Sequence, residues 1–343
     1  MTATTVVVHH VLIQDGRVFG EFRVDVFFVL SGFVIAFALG SGTVGVRDFV
    51  VNRLVRIVPL YWLATLLVFF GALLRPDLFN STTADVSELL KSLFFIPYRK
   101  ESGHIFPMLF VGWTLNYEML FYAVSALALW RFRRHVPLVF ATITLLLAAV
   151  FLITSIAHSN RALVGFLAYD RLLEFPLGIA VWCAWSKGVR IPVALAAPGA
   201  VAIYVLMTCI ERAWPDVSPV VENGLPTSLL LMSTLSLESL VVDSALTRGL
   251  LYLGDASYAI YLSHPFVVEG MRKLIPKVVH DFDVRSPGGV ILTIMVASVV
   301  GCAVYRYVDK PLQRAMRRLF NARRVVNGVV NAPAGEEAPL RVR

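Results

Sequence analysis

The residues able to do chemistry in this 343-residue chain are few, and they stand in apolar surroundings. Near the start, VVVHHV sets His9 and His10 in an apolar stretch, and RVDVFFVLSGF then carries Asp25 ahead of Ser31-Gly32. A carboxylate beside an imidazole fixes its tautomer and raises its basicity, which suits a general base acting on a hydroxyl. NRLVRIVPLYW places Arg53 and Arg56 at i, i+3 on one helical face. Such a pair can clamp a multiply charged phosphate through forked bonds; its plainer use is to anchor a helix among lipid headgroups. GWTLNYEMLFY brings Trp113, Asn116, Tyr117 and Glu118, and LLEFPLGIA brings Glu174. LGDASYAIYLSHPFV spaces Ser257, Tyr258, Tyr261 and His264 three or four apart along one face. Ser31, Trp113, Tyr117, Glu118, Glu174, Ser257, Tyr258 and His264 are candidates for lining a substrate channel, although packing within a bundle explains such side chains nearly as well.

The elements that must position these residues are helices in lipid. Composition is 57% hydrophobic and 16% charged, with a mean hydropathy of +0.73. An ordinary soluble domain is about 45–50% apolar and about 25% charged, so the charges here are too few to clothe a soluble surface. A hydrocarbon core of about 30 Å needs roughly 20 apolar residues per helix. About ten such runs fall near residues 1–13, 22–40, 57–74, 109–130, 136–156, 171–185, 191–209, 225–242, 252–270 and 288–306. The expected fold is an all-α polytopic membrane bundle over 1–320, followed by a disordered cytoplasmic tail over 321–343. The first run is too short to cross unaided and reads as truncated. Met1 to Val8 lacks the basic start and cleavage site of a signal peptide. Cys183, Cys209 and Cys302 stand apart in apolar runs, a pattern that excludes a disulfide framework and a zinc cluster. No metal is expected.

Charge orients the bundle. Residues 41–56, 131–135, 186–190, 243–249 and the tail from Arg306 hold 18 Lys and Arg against five acids. The alternate loops hold 13 of each sign. The basic side should be cytoplasmic, with both termini inside. The net charge of +8 then reports topology, and no nucleic-acid partner is needed to explain it. Five acids remain at membrane depth: Asp25, Glu118, Glu174, Glu238 and Asp255. Ionisable groups there are costly and by default functional. Helix arithmetic at about 1.5 Å per residue sets His9 and Asp25 at similar depth on a hairpin of the first two spans.

In this order, the FFVLSGF, RLVRIVPLY, WTLNYE and YLSHP segments resemble the acyltransferase-3 family of integral membrane acyltransferases, from about His9 to Arg318. The resemblance implies transfer of an acyl group from coenzyme A to a carbohydrate or related acceptor. It also implies a catalytic His, in register with His9, preceded in the family by an Arg whose position falls upstream of Met1. With His9 in that register, Asp25 at similar depth is read as the carboxylate that orients it, and the basic pair Arg53 and Arg56 as the clamp for the donor's phosphates. Acyl-CoA, acetyl-CoA foremost, is the donor substrate, with no permanently bound cofactor. The other partners are a glycan or glycosylated small molecule and the lipid bilayer, with homo-oligomerisation left open. The pantetheine arm would thread the bundle from inside, so that a cytoplasmic donor serves an outward-facing acceptor. The long 75–107 loop, with Phe94, Phe95, Tyr98, His104 and Phe106, suits either a sugar or a membrane interface. The rival class is a transporter or flippase that uses the buried acids for proton coupling and carries out no transfer itself.

Overall fold

The structure, a computed structural model, describes residues 7, 22–78, 82–101, 103–133, 135–157, 159–214, 217–278 and 283–330. Among the described residues there is helix and no strand. In chain order the helices are α1 (Phe22–Leu39), α2 (Val46–Leu74), α3 (Val86–Leu93), α4 (Trp113–Phe132), α5 (Val136–Ile156), α6 (Ala162–Leu167) and α7 (Glu174–Ser186). They continue as α8 (Val193–Ala213), α9 (Leu225–Ser236), α10 (Ala245–Asp255), α11 (Ser257–Val278), α12 (Pro287–Val304) and α13 (Lys310–Val330). Each apolar run after the first coincides with helix, while His9 and His10 lie outside the described residues.

The lengths depart from ten full spans. Val46–Leu74, Val136–Ile156 and the continuous Pro287–Phe320 are long and apolar enough to cross a membrane, and Val24–Leu39 and Val193–Met207 are shorter apolar stretches. The 13 residues of α7 and the 12 of α9 rise only about 20 Å at 1.5 Å each. Phe37, Leu67, Phe70, Trp130, Leu145, Ile153 and Val299 are exposed around the bundle. So broad an apolar exterior belongs in lipid, and this is a membrane protein. The second helix starts at Val46, well before the predicted 57, because Phe49 and Val55 bury themselves while Asp48 sits in the first turn. Arg53 and Arg56 therefore ride inside a helix, just ahead of Pro59. At the other end α13 continues past residue 320 to Val330.

Two glycines set the tightest crossing. A Cβ on Gly32 of α1 would overlap the Phe175 carbonyl oxygen of α7, and one on Gly178 would overlap the Val29 carbonyl oxygen. Only missing side chains let these backbones meet. The crossing brings the first turn of α1, with Asp25, against the start of α7, with Glu174. Gly301 of α12 seats the Ile260 backbone of α11 in the same way. The segment after α3 is tied down as well: Tyr61 donates to the Ser92 carbonyl (3.1 Å), and the Met108 amide donates to the Ser92 hydroxyl (2.8 Å). The three cysteines are free thiols.

Candidate active site

Three cavities follow one another along the helices. The first, of about 440 Å³, lies where α2, α11 and the head of α13 meet, and includes Asn52, Arg53, Arg56, Asp255, Tyr258, Asp309, Gln313 and Arg317 in its wall. A second, narrow one of about 140 Å³ shares Arg53, Arg56 and Tyr258 with it and adds Ser31, Thr114, Glu118, Tyr122, Ser257 and Tyr261. The third, of about 770 Å³, lies further along the same helices and is lined by Arg99, His104, Phe106, Trp113, Tyr117, Tyr169, Arg171, Glu269 and Arg272, among others. On α11 alone the walls run from Tyr258 through Tyr261 to Arg272, a rise of about 20 Å at 1.5 Å per residue.

The wall between the first two cavities is cationic. The Arg53 guanidinium lies 5.9 Å from both the Phe49 and Tyr122 ring centres, and its buried Nε has no hydrogen-bond partner. Tyr258 donates to the Ile57 carbonyl at 2.7 Å, fixing α11 against α2 just ahead of Pro59. In the narrow cavity Glu118 accepts from Ser31 (3.2 Å) and from Tyr122. Thr114 and Tyr261 bond each other (2.8 Å). Three rings close its far end: Phe28 lies 6.3 Å from Trp113 and 5.7 Å from Tyr117, edge-on to both. Phe28 faces the narrow cavity, and Trp113 and Tyr117 face the large one.

Behind the large cavity lies a buried charge cluster. Arg171, in the turn Asp170–Leu173, makes an ion pair with Asp25 at 2.7 Å. Its guanidinium rests over the rings of Tyr169 (5.0 Å) and Trp113 (5.7 Å). Asp25 and Glu174 are both wholly buried, with Glu174 beside Asp25. Outside the spans, burial pushes the Lys100 ammonium below the usual lysine range.

The predicted residues divide by location. Ser31, Glu118, Ser257 and Tyr258 meet Arg53 and Arg56 around the narrow cavity. Trp113 and Tyr117 belong to the large one, and the Tyr117 hydroxyl is already committed to the Phe166 carbonyl at 2.6 Å. His264 is wholly buried, with Nδ1 2.6 Å from the Tyr261 carbonyl, and lines none of the three cavities. Asp25 has Arg171 as its partner, a residue that sequence reasoning left in a loop; its position three before Glu174 was the available signal. The narrow cavity also takes in Thr114 and Tyr122, which the sequence does not single out, and Tyr261, which shares the helical face of Tyr258. Among the described residues no group of His, Cys, Asp and Glu is placed to hold a metal ion.

An all-helical membrane bundle holding a series of cavities with polar groups in their walls defines the class. Residues 2–307 match the acyltransferase domain family known as acyltransferase 3, and the chain belongs to that family. It is an acyl-transferring enzyme. The chain is 34% identical over 323 residues to the exopolysaccharide production protein ExoZ of Rhizobium meliloti (strain 1021), covering 92% of this chain and 95% of that one. It is 26% identical over 353 residues to the acyltransferase MdmB of Streptomyces mycarofaciens, covering 94% and 87% respectively. No solved structure matches the chain.

Proposed function

We propose that the enzyme is an O-acyltransferase of the cytoplasmic membrane that moves an acyl group, acetyl foremost, from cytoplasmic acyl-CoA to a hydroxyl of a carbohydrate or glycosylated acceptor. The observation that carries this reading is the wall of Arg53, Arg56 and Tyr258 common to two cavities. It provides a cationic entrance opening into the smallest of the three cavities, of about 140 Å³. The narrow cavity ends at the Phe28, Trp113 and Tyr117 rings, beyond which the large cavity offers aromatic faces and polar groups suited to a saccharide. The names of both relatives support it: one is an exopolysaccharide production protein, the other an acyltransferase. The basic excess supports a reading in which the Arg53 end and both termini face the cytoplasm and the chain makes ten membrane passages, the short α7 and α9 among them. The membrane domain takes in residues 1–320, and the cytoplasmic tail follows.

In the reaction the acceptor oxygen bonds to the acyl carbon, the carbon–sulfur bond breaks, and the hydroxyl proton ends on the coenzyme A sulfur. His9 takes that proton, and Asp25, anchored by Arg171, orients the base. General-base assistance contributes about 10²–10⁴-fold. His9→Ala should therefore lower transfer of labelled acetyl from acetyl-CoA in membranes by at least ~100-fold. A wild-type rate in that variant would remove His9 from the mechanism.

A further inference from the structure

The cavity at the cytoplasmic end is wider and more polar than its neighbour, and it contains a cation that the donor reading has not used. Arg317 comes from the head of α13, more than 250 residues away in sequence from Arg53, and donates to the Asn52 side chain at 3.1 Å. It lines the wide cavity alone, whereas Arg53 and Arg56 line both. Among the described residues none of the three arginines forms an ion pair. Two acids share the wall, Asp255 and Asp309, and Asp309 accepts from the Gln313 amide at 3.0 Å. Three guanidiniums against the two carboxylates of Asp255 and Asp309, around a space of about 440 Å³, leave an excess of positive charge that suits a ligand carrying phosphates.

Resting on the acyl-CoA reading, we infer that this cavity seats the nucleotide end of coenzyme A, and that Arg317 binds its 3′-phosphate. The assignment follows from order along the path. The pantetheine arm is slimmer than the nucleotide, so in this reading it takes the narrow cavity, and the 5′-diphosphate attached to it sits at the shared wall, against Arg53 and Arg56. The 3′-phosphate projects from the far side of the ribose, away from the arm. Arg317 is the arginine on that side. Asn52, bonded to it, holds the guanidinium in place, and the C-terminal helix thereby becomes part of the donor site.

The test measures binding of coenzyme A and of 3′-dephospho-coenzyme A to the purified full-length protein, which needs no acceptor. Wild type should bind coenzyme A about tenfold more tightly than the dephospho form. Arg317→Gln should erase that preference by weakening coenzyme A alone. Arg53→Gln should weaken both ligands alike. Arg317 is exposed at the helix head, so its melting temperature serves as a check that the variant is folded. Equal binding of the two ligands by wild type, or equal weakening of both by Arg317→Gln, would overturn the inference and leave the donor reading standing. If wild type bound neither ligand, the donor reading itself would fall and take the inference with it.

Discussion

Arg171 determines what Asp25 can do. Both side chains are almost wholly buried, and their ion pair stands where desolvation is severe, so neither charge is tolerable without the other. Arg171→Met should cost about 3–5 kcal/mol, read as a large drop in melting temperature in detergent. Asp25→Leu combined with Arg171→Met should recover part of that loss, because the Asp25 carboxylate is no longer left without its partner while Glu174 remains, and should leave no transfer activity. Glu118 is a different case. Its carboxylate accepts from Ser31 and Tyr122 in the narrow cavity, and a Gln side-chain oxygen could accept the same bonds. Glu118→Gln should keep the fold and lower kcat at least tenfold; an unchanged kcat would make Glu118 a packing residue. At this scale the sequence announced the acids, because a carboxylate in an apolar run is conspicuous. It did not announce Arg171, which stands at the border of a loop where an arginine is ordinary.

The crossing of α1 and α7 makes the charge cluster possible. Gly178→Val would push a side chain into the Val29 carbonyl and the Phe33 amide, backbone atoms that cannot swing aside. The expected loss lies at or beyond the upper end of the ~1–3 kcal/mol typical of overpacking, with transfer lost because Asp25 and Glu174 move apart. Gly249→Ala, where a Cβ meets open space, should leave melting unchanged or raise it. The Ser31-Gly32 pair hinted at such an approach, since small residues in a membrane helix permit close contact. Which glycine meets which carbonyl depended on the rotation of both helices, and a linear pattern does not encode that. Element ends were less legible still. The second helix reaches back to Val46 through a stretch that alternates charged and buried side chains, and hydropathy alone stops short of it.

Across the whole molecule, charge and cavities describe the same axis. The basic side holds Arg53, Arg56 and Arg317, and the large cavity lies at the opposite end of the path. Reporter fusions should place residues 187–190 and the C-terminus in the cytoplasm and residues 99–106 outside; a C-terminus outside would invert the donor and acceptor ends. The membrane class was readable from composition, because low charge content and long apolar runs are properties of the chain itself. The order of the cavities was not, since each is built from four or more helices distant in sequence. The measurement that tests the account most directly uses purified protein in sealed proteoliposomes, with labelled acetyl-CoA on the Arg53 side and a candidate glycan on the other. The account predicts labelled glycan in the far compartment, lost in the Arg53→Gln/Arg56→Gln variant; glycan crossing unlabelled, or labelling that persists without the two arginines, would contradict it.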